Sequence, residues 1–146
     1  MKSFMCLIAM LWLVATGCKK GDDIATQVME ELPPDVMQDS TSQVGTFRGA
    51  GSYSVTGKVS LLQGADKLVL SFEDFSSSSG PDLKVYLSKD TKASSFINLG
   101  ELKALKGNFN YEVDKSKYTP DFKYVLIWCE DFSVLFGSAE IKAPAM

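Results

Sequence analysis

From Tyr53 to Val113 the apolar side chains fall on alternate positions: Tyr53, Val55, Gly57, Val59 and Leu61, then Leu68, Leu70 and Phe72, then Phe109, Tyr111 and Val113. A period of two is the signature of strands with one face buried, because successive side chains of an extended chain point to opposite sides. Gln63-Gly64-Ala65-Asp66 reads as a hairpin turn between the first two runs, and Ser76 to Pro81 as a polar loop before a strand over Leu83 to Leu87. After a break at Ser88 to Ser95, short strands are expected over Phe96 to Leu99, Glu101 to Leu105, Phe109 to Val113, Tyr124 to Cys129, Phe132 to Phe136 and Ala139 to Lys142. Many short strands with almost no helical periodicity predict an all-β fold, a single β-sandwich or barrel-like domain of mostly antiparallel strands. With 146 residues, 45% of them hydrophobic, the chain can bury one core. The aromatics Tyr53, Phe72, Phe75, Tyr86, Phe109, Tyr111, Trp128, Phe132 and Phe136 are expected mostly to fill it.

The first residues have a different character. Lys2 gives a short positive start, and Phe4 to Val14 is apolar but too brief to span a bilayer as a mature helix. The sequence Val14-Ala15-Thr16-Gly17-Cys18 resembles a bacterial lipobox, with Ala15 where leucine is commonest, and the polar Lys19-Lys20-Gly21-Asp22-Asp23 follows it. Residues 1–17 then form a removed lipoprotein signal peptide, and Cys18 carries the lipid that holds the protein on the membrane. The alternative is an ordinary secretory signal with an incidental cysteine. Residues 18–43, rich in Glu, Asp, Ser, Thr and Gln around Pro33-Pro34, read as a disordered tether holding the domain on the order of 25 to 30 Å from its anchor. Within it, Ile24 to Leu32 is long enough for a short helical turn. Residues 44–146 form the β domain. The expected location is the bacterial cell envelope, and Lys19 after the anchor favours the outer membrane by resemblance to known sorting patterns.

Composition removes several chemistries. There are 15 basic and 18 acidic side chains, with Arg48 the one arginine, so no nucleic-acid partner is expected. The chain has no histidine, which excludes histidine-based triads, and with no cluster of cysteines either a zinc or iron-sulfur site cannot be assembled; no metal site is expected. Haem faces the same scarcity: Met29, Met37 and Met146 lie outside the expected strands, leaving Cys129 or a tyrosine such as Tyr86, Tyr111 or Tyr124 as axial ligand. Haem binding by this domain alone is disfavoured, and the cofactor is unassigned. Glu73-Asp74, Asp82 and Glu130-Asp131 fall at strand ends, where turn chemistry and solvation explain them more simply than calcium ligation or acid/base work. Lys103, Lys106, Lys115 and Lys117 read as a solvated face, and Ser76 to Ser79 as a mobile loop.

If Cys18 carries lipid, Cys129 is left as a lone thiol at the end of the apolar run Tyr124-Val125-Leu126-Ile127-Trp128-Cys129. Such a thiol is either a packing residue or a reactive group, and Glu130 and Asp131 beside it oppose thiolate formation.

The order Gly45-Thr46-Phe47, Gly57-Lys58-Val59, Leu68 to Phe72, Gly80-Pro81-Asp82-Leu83 with Val85-Tyr86-Leu87, Gly107 to Tyr111, and Val125 to Cys129 with Phe132, Phe136-Gly137 and Ala139 resembles the DM-thirteen domain. The resemblance covers nearly all of Gly45 to Ile141. It implies an extracytoplasmic β-rich module in electron transfer, acting through a characteristic cysteine matched here by Cys129. Two functions follow. One is a membrane-anchored redox accessory that uses Cys129 with a redox partner protein and is not a stand-alone enzyme. The other is a non-enzymatic adhesion or ligand-binding sandwich with Cys129 in its core.

Overall fold

The computed structural model describes residues 24–36 and 42–144. Among these residues ten strands form two five-stranded sheets: β1 (Val28–Met29), β2 (Gln43–Thr46), β3 (Arg48–Gly49), β4 (Val55–Gln63), β5 (Leu68–Ser77), β6 (Leu83–Ser88), β7 (Phe96–Glu101), β8 (Lys106–Val113), β9 (Tyr124–Cys129) and β10 (Val134–Glu140). Sheet I has the order β1-β8-β5-β4-β2 and sheet II the order β3-β10-β9-β6-β7. All strand pairs are antiparallel except β1 with β8. The all-β sandwich expected from the alternation is therefore the fold.

The inner faces supply the core that the period of two predicts. Leu68, Leu70 and Phe72 of β5, Phe109, Tyr111 and Val113 of β8, Leu83, Val85 and Leu87 of β6, and Val125, Ile127 and Cys129 of β9 are all buried in one cluster. Phe72 is its aromatic centre, stacked on Phe47 at 5.3 Å and on Phe109 at 4.9 Å, with Phe75 edge-on at 5.3 Å. Phe72 and Phe75 both point inward although they are three positions apart, an odd spacing that strict alternation would send to opposite faces, because the β4/β5 and β5/β8 registers shift there. The bulge puts Asp74 at φ 48°, and Gly57 at φ 114° lies so close that a Cβ would fall 2.7 Å from the Phe75 Cα. Asn108 Oδ1 accepts the Asp74 N–H at 2.9 Å and ties down the unpaired backbone.

Three expectations are corrected. The stretch Glu101 to Leu105 is not a separate strand: after β7 the chain crosses from sheet II to sheet I, with Leu102 and Ala104 buried on the way. Its backbone groups are satisfied along the crossing, Leu102 N–H by the Leu83 carbonyl at 2.8 Å and Leu105 N–H by the Ala25 carbonyl at 3.0 Å. The Ser76 to Ser79 run is no free loop, since Ser76 and Ser77 close β5 and Ser78 Oγ accepts the Ser54 N–H at 2.9 Å. Phe132 is 64% exposed at the β9–β10 turn rather than in the core.

The fourth correction concerns the tether. Of its described residues, Ile24 to Val36 neither form a helical turn nor hang free but strap sheet I, and Gln43 already belongs to β2. Ala25 bridges Ala104, β1 pairs in parallel with Gly107 and Asn108, and Glu30 N–H donates to the Asn108 carbonyl at 2.7 Å. Gly107, at φ 118°, is required for this contact, because a Cβ there would fall 1.8 Å from the Val28 carbonyl oxygen. Beyond β1, Glu30 pairs with Lys103 at 2.9 Å and accepts the Asn110 N–H at 3.0 Å, while Asn110 Nδ2 donates to the Glu31 carbonyl at 3.0 Å. Partial burial pushes the Glu30 carboxyl up, but the Lys103 ammonium and the Asn110 N–H prevail and hold it below the ordinary 4.5.

A depressed carboxyl pKa contributes stability that is complete above the unfolded value and lost as pH falls through the folded one. The strap should therefore loosen only below pH 4.5. The effect on stability is no more than about 1 kcal/mol for so exposed a pair. The Asn110 amide shift, followed by NMR, should titrate with a midpoint below 4.5. A midpoint at or above that value would mean the Glu30 contacts are not made in solution.

Candidate functional site

Cys129 ends β9, opposite Leu83 of β6 on one side and Val134 of β10 on the other. Alternation along β9 sends Val125, Ile127 and Cys129 inward and Tyr124, Leu126 and Trp128 outward. The thiol is free and 0% exposed, within the hydrophobic core.

The Gly80-Pro81-Asp82-Leu83 segment closes this end of the sandwich. A Cβ on Gly80 would fall 2.8 Å from the Phe136 ring and 2.9 Å from Leu83 Cδ2, so any larger residue would have to push these core side chains aside. The Asp82 carbonyl accepts the Glu130 N–H at 2.9 Å, which fastens the segment to the residue after the thiol. Two parts of the sequence pattern, Gly-Pro-Asp-Leu and Trp-Cys-Glu-Asp, are thus one structural unit. Beside it opens a recess of about 310 Å³ lined by Ile24, Pro81, Asp82, Leu83, Leu102 and Lys103.

The outer face of sheet II carries an aromatic cluster. Tyr86 stacks on Phe96 at 4.0 Å and lies 6.3 Å from Trp128, and Leu126 is buried among outward-facing residues. The Tyr86 hydroxyl donates to Glu130 Oε1, and Asn98 Nδ2 makes a long contact to the same oxygen at 3.5 Å. Desolvation first, then the Glu130 hydrogen bond and the charges of Glu130 and Asp82, push the Tyr86 phenol up strongly. Lys84, between Asp82 at 2.8 Å and Glu101 at 3.4 Å, has its ammonium held charged above the usual lysine range, chiefly by the Asp82 hydrogen bond.

The candidate ligands named from sequence do not converge. Tyr86 and Tyr124 lie on the outer face of sheet II, while Cys129 faces inward; Tyr111 is on sheet I, its hydroxyl donating to the Glu101 carbonyl at 2.9 Å and accepting from Lys103 N–H at 2.8 Å. Met29 belongs to β1 rather than lying outside the fold, but is 67% exposed. These residues offer no axial pair for a haem with Cys129. Glu73 and Asp74 lie at the sheet I bulge, away from the Asp82 and Glu130 unit, and among the described residues no three acidic, histidine or cysteine side chains gather as a metal site. Lys103 and Lys115 are engaged separately, the latter by the Gly64 and Ala65 carbonyls at 3.0 and 3.1 Å. Cys18 falls outside the described residues.

The pairing of Tyr86 with Glu130, and the stacking of Phe96, were not legible from sequence. The available signal was that Tyr124 to Cys129 is apolar at both parities and that Tyr86 places an aromatic on the outer parity of Leu83 to Leu87, which means that the outer face there is not fully wet.

Comparison with curated proteins and with solved structures returns no match to this chain. A family model described as electron transfer DM13 matches residues 46–141, from the end of β2 to just past β10 and including both the Gly80 to Leu83 segment and Cys129. With most of its length matched, and the whole sandwich within the match apart from the strap and most of β2, the chain belongs to the DM13 electron-transfer family.

Proposed function

We propose that the protein is an extracytoplasmic lipoprotein, anchored in the envelope through Cys18, whose sandwich serves as a one-domain electron-transfer accessory to a cofactor-bearing partner, with Cys129 as its redox-active thiol. Membership of the electron-transfer family over residues 46–141 carries this reading. The local architecture supports it: the Gly80 to Leu83 segment is fastened to the residue after Cys129, and Cys129 sits at the end of β9 between its register partners Leu83 and Val134, so the thiol is held at one defined place in the core. A buried thiol is kept from adventitious oxidation and metal capture, and exchanges only when the fold opens locally or when an electron passes through the sheet.

One observation favours a second reading. Cys129 lies in line with Val125 and Ile127 on the core face, which is the placement of a packing residue in a ligand-binding sandwich.

Two substitutions separate them. Cys129→Ala removes the sulfur and leaves a small void, and Cys129→Ser adds an unpartnered buried hydroxyl, so each should cost about 1–3 kcal/mol. In the redox reading both variants lose electron exchange with the membrane fraction's redox carriers while remaining folded at 25 °C. Exchange that survives in a folded Cys129→Ala protein eliminates the thiol as the redox group and leaves the packing reading.

A further inference from the structure

We propose that Tyr86 is a proton-coupled one-electron relay on the outer face of sheet II, with Glu130 as its proton acceptor. The proposal rests on the electron-transfer reading and assigns that function a second group and an exit surface.

A phenol that loses one electron becomes a very strong acid, so its oxidation is accessible only where a base stands ready to take the proton. Tyr86 has that base. Its hydroxyl donates to Glu130 Oε1, and among the described residues it is the tyrosine whose phenol donates to a carboxylate. Tyr111 differs in the decisive respect: its hydroxyl donates to a backbone carbonyl, which cannot accept a proton. Glu130 is exposed at the mouth of the β9–β10 turn, so the proton it takes can pass to water.

The step balances within the pair and one external acceptor. The Tyr86 O–H bond breaks as an O–H bond forms on the Glu130 carboxylate, and one electron leaves the ring for an oxidised one-electron metal centre on the docked partner. The neutral phenoxyl is refilled by one electron from a reduced one-electron metal centre on an upstream donor protein, as one proton returns to the phenol oxygen through Glu130, either the one it kept or one taken back from water.

Position favours the role. The ring is 3% exposed, stacked on Phe96 at 4.0 Å and near-parallel to Trp128 at 6.3 Å, so it is shielded from water yet coupled to two aromatic neighbours. Phe96 is 41% exposed and gives a partner a surface to touch. Trp128 precedes Cys129 in β9, one facing outward and the other inward, which links this face to the thiol through a single peptide. The charged groups around the phenol are Asp82 and Lys84 of the β6 strand and its lead-in, Glu101 of β7 and Glu130 after β9. Lys84 is already paired with Asp82 and Glu101, leaving Glu130 as the carboxylate that holds the hydroxyl.

The test is flash photolysis of the full-length chain with photogenerated tris(bipyridine)ruthenium(III), read by transient absorption and electron paramagnetic resonance. A neutral tyrosyl radical is expected, lost in Tyr86→Phe, which keeps the stacked ring. Glu130→Gln keeps an acceptor oxygen but cannot take the proton, and should slow radical formation roughly a hundredfold, as removal of a positioned base does. Circular dichroism establishes that both variants are folded. A radical that persists in Tyr86→Phe overturns the relay, and an unchanged rate in Glu130→Gln overturns the proton acceptor. The photochemical oxidant needs no partner and no thiol, so the result in Cys129→Ala, where the radical should form as before, separates failure of the relay from failure of the Cys129 reading.

Discussion

Phe72→Ala is expected to lower stability by about 3–5 kcal/mol, the range for removing a large aromatic from a core that cannot collapse around the void. The ring is fully buried and touches aromatic neighbours from three other places in the chain: Phe47 at the sheet-switching corner, Phe75 beyond the bulge and Phe109 on β8. Deleting it removes its own transfer free energy and the stacking partner of Phe47 and Phe109 at once, with each aromatic pair contributing about 0.5–1.5 kcal/mol beyond area burial. Small domains are stable by only about 5–15 kcal/mol, so a large share of the total is at stake. Chemical denaturation should show the loss as a lower midpoint at nearly unchanged slope. Phe132→Ala, at the exposed turn, is the control and should change stability by no more than about 0.5 kcal/mol. A Phe72→Ala loss below about 1 kcal/mol would mean that the two sheets close around the gap and that the aromatic cluster is not the centre of the core.

Alkylation of Cys129 in the folded protein should be slower than that of a free thiol by about three orders of magnitude or more, because reagent reaches the sulfur only through opening. Cys129 is 0% exposed, with Leu83 and Val134 opposite it on the neighbouring strands, so the sulfur is reached only through local opening of this end of the sandwich. The measurement uses the full-length chain carrying Cys6→Ser and Cys18→Ser, in which Cys129 is the one cysteine. Denaturant should restore the ordinary rate. Rapid labelling of the native protein, with an apparent pKa clearly below the free-thiol value of about 8.5, would instead reveal an open and activated thiolate.

Much of the sandwich is legible because strand alternation is a local property. Phe109, Tyr111 and Val113 point inward for the same reason that Val125, Ile127 and Cys129 do, and neither needs knowledge of its neighbours. What is not legible depends on contacts distant in sequence. Phe75 is out of phase with Phe72 because Gly57, on another strand, leaves room for the backbone to bulge. The strap reads as solvated chain because Glu30, Glu31 and Pro33-Pro34 bury nothing on their own; Asn108 and Asn110, some 80 positions later, supply the donors and acceptors that hold it. The same holds for the candidate site. Cys129 and its place in an apolar strand are visible in the chain, but Tyr86 and Glu130 meet only because β6 and β9 pair with Tyr86 opposite Leu126, and the outer face of a sheet is not marked by any period.

The strap also sets how the domain responds to force. In a chain held at Cys18, as proposed, any pull between membrane and partner enters the sandwich at Ile24 and meets the Ala25 bridge, then β1, then the Glu30 contacts, before it reaches the β4-β5-β8 body of sheet I. Those contacts form the shortest pairing in the sheet and should yield first, one after another. Each residue they release adds about 3.3–3.6 Å of reach. In a chain so held, the segment is a reserve of length, released under tension and rewound when tension falls, while the core stays closed.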